Sequence, residues 1–163
     1  MSFLDLFKRI KPRNMSPEQR IYDAAKKYLG VSEVSGKQSN PKIVAWIDQA
    51  AEWLKDGVDD IDGKIAWCGC FRGAIGFETA TGVVAAPYRA SSWLKWGKSI
   101  IKKDPSTWPQ GATVVMSRPG GNHVALIDRV VGDYAYLLGG NQANSVSVSR
   151  FQISKFTDVR VSL

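Results

Sequence analysis

Ala112-Thr113-Val114-Val115-Met116, then the turn Arg118-Pro119-Gly120-Gly121, then His123-Val124-Ala125-Leu126-Ile127-Asp128-Arg129-Val130, is the stretch that decides the fold. Its apolar residues change from helical spacing to a period of two. Alternation of this kind, cut by Pro-Gly turns, predicts strands. The pattern continues through Tyr134–Leu138, Ser145–Phe151 and Thr157–Leu163, with Val131-Gly132-Asp133 as a further turn. Upstream the spacing is helical. Ser16-Pro17-Glu18-Gln19 reads as an N-cap, a proline at the first helical position and a capping-box glutamine. Ile21, Ala24, Ala25, Tyr28 and Leu29 follow on one face, up to Gly30. Asn40-Pro41 opens a second helix carrying Ile43, Val44, Ile47, Ala50, Ala51 and Leu54, which Asp56-Gly57 ends. A third, glycine-rich helix is expected to start near Cys68 and run to about Phe77, and a short one covers Ser91–Trp96. Helices first and an antiparallel meander second make an α+β pattern. Residues 16–163 read as a single domain, after an extension over 1–15.

Composition limits what such a domain can do. The chain has 163 residues, enough for one sizeable core. Apolar residues are 44% and charged residues 23%, the make-up of a folded globular protein. No run of about 18 apolar residues is present, which excludes a membrane-spanning helix. Two cysteines cannot build a disulfide framework. One histidine excludes any mechanism needing two. The net charge of +7 favours an anionic partner. It is uneven: Asp48, Glu52, Asp56, Asp59, Asp60 and Asp62 face Lys55 alone over 48–62, so the remainder is more basic than the whole. No nucleic-acid-binding motif accompanies the charge. Phe3, Leu6, Phe7 and Ile10 fit a short amphipathic helix within 3–13, which would touch an anionic membrane transiently, lie on the protein's own core, or fray. Asp5 interrupts any signal-peptide core.

A cysteine nucleophile is the natural enzyme chemistry for this inventory. Cys68 at a helix N-terminus would have its thiol pKa lowered by the macrodipole and free N–H groups, which also suit an oxyanion. His123 opens a strand beside a glycine-rich turn. Leu138-Gly139-Gly140-Asn141-Gln142 ends the next strand, and an antiparallel return would bring Asn141 to the imidazole. The expectation is Cys68–His123–Asn141. Against it stands the plain reading, in which Cys68 is a small buried hydrophobe and His123 a satisfied core residue. Cys70, about 200° round the helix from Cys68, is assigned to the core. Zinc through Cys68, Cys70 and His123 would have three ligands and poor spacing. The segment 56–62 lacks the EF-hand pattern. No metal or cofactor is expected.

Leu29-Gly30-Val31-Ser32-Glu33-Val34-Ser35-Gly36, Asn40-Pro41, Ala66-Trp67-Cys68, Ala90-Ser91-Ser92-Trp93-Leu94-Lys95-Trp96-Gly97, Gly121-Asn122-His123-Val124-Ala125 and Leu138-Gly139-Gly140-Asn141-Gln142 stand in one order along residues 20–155. Together they resemble phage and prophage cysteine peptidoglycan hydrolases of the papain-like superfamily that includes CHAP and NlpC-type domains. The resemblance implies a papain-like fold, with the nucleophile helix packed on the C-terminal sheet. It also implies endolysin-like cleavage of a peptidoglycan amide, as stem-peptide endopeptidase or N-acetylmuramoyl-L-alanine amidase. Cys68, His123 and Asn141 would be catalytic. Trp67, Trp93 and Trp96 are candidate groove walls or else core, and Asn122 and Gln142 are candidate substrate contacts. Cys70 and Arg72 depart from the family, which more often has small or apolar residues there. The protein would be a monomer, made in the host bacterial cytoplasm without a signal peptide and acting on the wall from the periplasm. A non-catalytic wall- or membrane-binding module, and a transferase or deamidase on the same fold, are the alternative readings.

Overall fold

A strand that alternates apolar side chains must bury both faces when both sets are apolar, and this sheet does so. The computed structural model describes residues 14–35, 39–52 and 66–163. Among the described residues, three α-helices precede the sheet: α1 (Pro17–Lys26), α2 (Pro41–Glu52) and α3 (Cys68–Glu78). Six strands follow: β1 (Lys98–Ser99), β2 (Thr113–Arg118), β3 (Gly121–Val131), β4 (Tyr134–Gln142), β5 (Ser145–Gln152) and β6 (Phe156–Val161). They form one antiparallel sheet in the order β1-β6-β2-β3-β4-β5. The fold is mixed α+β.

β2 to β5 form the expected meander, but β6 leaves it. It crosses back to pair with β2, and the two-residue β1 extends that edge. The reason lies in β2, whose residues Thr113–Met116 are all buried. Buried backbone N–H and C=O groups need partners on both edges. The turns follow their residues. Pro119-Gly120 joins β2 to β3 with Gly120 at φ +83°, the geometry of a type II turn. Ala143-Asn144 joins β4 to β5 with both residues at positive φ, as a type I′ hairpin requires.

The helices cover one face of the sheet. Ile21 and Ala25 of α1, Ile43, Trp46 and Ile47 of α2, and Phe71 and Ile75 of α3 pack on Val115, Val124, Leu126, Leu138 and Val146. The alternate strand residues, Val114, Ala125, Ile127, Ala135 and Leu137, form a second core with Ile100, Trp108, Phe156 and Val159. Local signals fix the helix starts. Ser16 Oγ accepts the Gln19 N–H at 3.1 Å, a cap worth about 1 kcal/mol. The second half of the expected capping box is not made, because the Gln19 side chain donates forward to Asp23 Oδ1 at 2.9 Å. Asn40 Oδ1 accepts the Lys42 N–H at 2.9 Å at the start of α2. The expected short helix near residue 91 is a 3₁₀ turn over Ala90–Lys95. The N-terminal helix expected within 3–13 and most of the acidic segment lie outside the described residues. Among the described residues, no helix is long and apolar enough to cross a membrane.

Candidate active site

The N-terminus of α3 meets the start of β3. Cys68 is the first residue of α3 and is buried. Two glycine positions permit this approach. A Cβ on Gly69 would stand 2.4 Å from the Pro87 carbonyl oxygen, so the chain at 87–88 can cross the helix start only over glycine. A Cβ on Gly140 would stand 2.8 Å from Phe71 Cβ and from the Trp67 ring, so β4 can lie against α3 only there. The backbone N–H groups of Val124, Gly69 and Cys68 itself bear on the Cys68 sulfur. Val124 directly follows His123, but strand alternation sends the two side chains to opposite faces: Val124 joins Cys68 in the core under the helices, and His123 lies with Met116 and Phe151 on the other side.

His123 is almost wholly buried, and its Nε2 lies 2.9 Å from Gln142 Oε1. The Gln142 amide nitrogen is committed elsewhere. It donates to Leu137 O at 3.0 Å and to Ser147 O at 2.8 Å. With both amide hydrogens used on carbonyls, Oε1 must be the atom that meets the imidazole. The hydrogen-bond network therefore assigns the proton to Nε2 in neutral His123 and the lone pair to Nδ1. Nδ1 is buried and has no hydrogen-bond partner among the described residues. Phe151 packs at 5.8 Å from the imidazole centroid, with the rings tilted by 31°.

The expected third residue is corrected: the partner of His123 is Gln142, and no hydrogen bond joins Asn141 to the ring. The cause is a break in strand parity. Extending the Leu126–Leu138 pairing of β3 and β4 would set Asn141 opposite His123. The β4–β5 register, however, shifts between Gly139 and Gln142, and Asn141 takes φ +55°. One extra residue in β4 re-aims the next side chain. A Cβ on Gly139 would lie 2.6 Å from Gln142 Oε1, so this glycine leaves the room that the amide fills.

Electrostatics differ from the sequence expectation as well. Burial pushes the Cys68 thiol above its ordinary pKa, and outweighs the N–H groups and the Arg118 charge that pull it down. Burial pushes His123 below its ordinary value; the Gln142 hydrogen bond opposes this and Arg118 adds to it. The resting pair is a neutral thiol and a neutral imidazole. No hydrogen bond joins Cys68 to His123 in this structure. Cys70 is fully buried and its thiol is pushed up to about 12, chiefly by burial and then by the charge of Cys68.

Two separate pockets, or lobes, open beside these groups, and Arg118 alone of the described residues lines both. One, of about 330 Å³, is lined by His123, Gln142, Asn141, Phe151, Arg118 and Lys155 among others. The other, of about 260 Å³, holds Cys68, Asn122, Tyr88, Arg89 and Arg118. Asn122 thus lines the cysteine side and Gln142 the histidine side. The three tryptophans do not line these lobes. Trp67 is buried, with its indole N–H on Glu33 Oε1 at 2.9 Å. Trp93 is buried, with its N–H on Pro87 O at 3.0 Å. Trp93 and Trp96 flank the buried Arg72 guanidinium at 4.4 and 4.8 Å. Their role as groove walls is corrected to core. The sequence reading missed Arg118, although its place before Pro119-Gly120 puts it at the head of the hairpin that presents His123. Among the described residues no cluster of His, Cys, Asp or Glu is arranged to hold a metal ion. No protein-family model matches the chain, and no curated protein matches it.

Proposed function

We propose that the protein is a papain-like cysteine hydrolase that cuts an amide bond of bacterial peptidoglycan, either within the stem peptide or between the muramoyl group and L-alanine. The observation that carries this reading is the imidazole. A buried His123 whose Nε2–H is fixed by Gln142, and whose Nδ1 lone pair has no partner among the described residues, suits a base. A merely structural histidine would satisfy both nitrogens.

The chemistry follows from the neutral resting pair. His123 Nδ1 takes the proton from Cys68 Sγ as the sulfur attacks the amide carbonyl. The N–H groups at the start of α3 stabilise the oxyanion. The imidazolium then protonates the leaving amine, the C–N bond breaks, and a thioester remains on Cys68. His123 next takes a proton from water, which attacks the thioester; the carboxylic acid leaves and the thiol is restored. Gln142 touches only the imidazole and is a positioning residue. Proton transfer requires the His123 ring, which lies with Met116 and Phe151, to turn its Nδ1 toward Sγ.

Digestion of purified sacculi tests this, with mass spectrometry of the released fragments. The wild type yields products with a new amine and a new carboxyl group, whose masses identify the bond. Cys68→Ala yields none, and Cys70→Ala retains most of the activity. Undiminished digestion by Cys68→Ala overturns the reading. A deamidase or transferase would change masses without releasing fragments. A binding module would leave sacculi intact and release no fragments.

A further inference from the structure

We propose that Arg118 is the specificity residue of this site, and that the substrate carries a free carboxylate beside the amide that Cys68 attacks. The proposal deepens the hydrolase reading and rests on it for the position of the scissile bond.

Arg118 lines both lobes, the one with His123 and the one with Cys68. It is flanked by a cation on each side, Lys155 in the first lobe and Arg89 in the second. Among the described residues, no aspartate or glutamate lines either lobe. Every other described arginine is engaged. Arg129 and Arg160 pair with Asp128 and Asp158. Arg20 donates to the Thr79 carbonyl, and Arg72 is bonded to Thr113. Arg89 and Arg150 lie over the Tyr88 and Tyr134 rings. The Arg118 side chain alone among them has no hydrogen bond, ion pair or ring partner among the described residues. A guanidinium offers a planar fork of donors matched to a carboxylate. Arg118 is also held firmly: it pairs with Gly121 as the last residue of β2, across the Pro119-Gly120 turn. A partly buried fork with no partner among the described residues, lining both the cysteine's pocket and the histidine's, is placed to read an anionic group next to the reacting carbonyl.

The same charge acts on the chemistry. It favours the Cys68 thiolate and disfavours the His123 imidazolium. A bound carboxylate offsets that charge. His123 then holds a proton more readily at the stage where the leaving amine needs one.

Two measurements test the proposal, each on the full chain. The first compares iodoacetate with iodoacetamide as alkylating agents for Cys68 in a Cys70→Ala background, with free cysteine as reference. The wild-type site should favour the anionic reagent about tenfold relative to free cysteine. Arg118→Gln should return the ratio to that of free cysteine, Arg118→Lys should keep part of it, and added salt should reduce it. A wild-type ratio equal to that of free cysteine, or one unchanged in Arg118→Gln, overturns the proposal. The second uses matched synthetic stem peptides whose carboxyl next to the scissile amide is free or amidated. The free acid should have the lower KM, by about tenfold, and Arg118→Gln should erase the difference. Its acid limb of kcat/KM should also move to higher pH, as the imidazolium loses a repelling neighbour. Cleavage of both peptides without preference overturns the proposal and leaves the hydrolase reading standing. Cleavage of neither, with iodoacetate selectivity intact, overturns the hydrolase reading and supports the anion site.

Discussion

Gln142→Met separates the two candidates for the residue that holds His123. Methionine keeps the unbranched volume of glutamine. It removes the acceptor for the imidazole Nε2–H and both donors to Leu137 O and Ser147 O. Leaving the buried Nε2–H unpaired costs about 1–3 kcal/mol, and the carbonyls lose less because each has a second lone pair. A total near 2–4 kcal/mol is well inside the roughly 5–15 kcal/mol of a folded domain. The variant should therefore fold, with Tm lower by roughly 5–15 °C. Turnover should fall by about 10²- to 10⁴-fold, since the tautomer is no longer specified. The chain has one histidine, so nitrogen-15 NMR of tag-free protein reports His123 without ambiguity. The native ring should be the Nε2–H tautomer and titrate below the ordinary histidine value, because burial disfavours the cation. In Gln142→Met both tautomers should appear, and the titration should move lower still, since the hydrogen bond that raised it is gone. A depressed folded pKa also sets the sign of the linkage. The contribution of His123 to stability is complete above its unfolded pKa near 6.5 and is lost as pH falls through the lower folded value. Asn141→Ala should preserve tautomer, titration and turnover. A native Nδ1–H tautomer refutes the reasoning, as does an Asn141→Ala that abolishes activity while Gln142→Met does not.

Two further substitutions probe the packing that sets the site. Gly69→Ala drives a Cβ to within 2.4 Å of Pro87 O and 2.9 Å of Tyr88 C, both backbone atoms, and should cost about 1–3 kcal/mol, read as a lower urea midpoint. An unchanged midpoint would mean that the 87–88 crossing yields freely. Arg72→Met removes a buried guanidinium whose Nη1 and Nη2 lack hydrogen bonds, and whose pKa is lowered to about 9, chiefly by burial. The lowered value means that the folded protein carries this cation at a cost at neutral pH. The variant should therefore be as stable as wild type or more so at pH 7. Wild type should gain on it as pH rises beyond about 9, where the folded guanidinium begins to lose its proton. A large loss at pH 7 would show that the Trp93 and Trp96 stacking and the Thr113 bond outweigh that cost.

Much of the fold was legible because its signals are local. Ser16-Pro17, Asn40-Pro41 and the positive-φ glycines each act within a turn of where they stand, and alternation marks a strand without reference to its neighbours. The path of β6 is different. Its sequence shows a strand, but its place depends on the buried outer edge of β2, some forty residues earlier. The tryptophans were ambiguous for a related reason. An indole suits a glycan groove and a core equally, and its N–H decides only when a partner is known. Here Glu33 Oε1 supplies the partner of Trp67 from 34 residues away, and the Pro87 carbonyl supplies that of Trp93 from the loop just before it. Arg72, the departure from the expected small or apolar residue, makes the choice for Trp93 and Trp96, because a buried guanidinium stabilises the rings that enclose it.

The candidate site shows how narrow the gap between pattern and geometry is. Cys68 at the head of a helix and His123 at the start of a strand were both visible, since each depends on one element boundary. The third residue depends on parity. Along a regular strand the side chain that faces His123 is Asn141, and the reasoning from alternation is sound as far as it goes. Gly139 and Gly140 already carry the signal that it fails. Two adjacent glycines inside a strand have no side chains to pack, so they mark a place where something else comes close. Helix α3 approaches Gly140 on one face, and the Gln142 amide occupies the space over Gly139 on the other. Once both are in place, Asn141 takes the left-handed conformation that asparagine tolerates better than most residues. The longer side chain of Gln142 then spans from the strand end to the imidazole, with two carbonyls left over to hold its nitrogen. Asparagine at 141 serves the backbone, and glutamine at 142 serves the histidine.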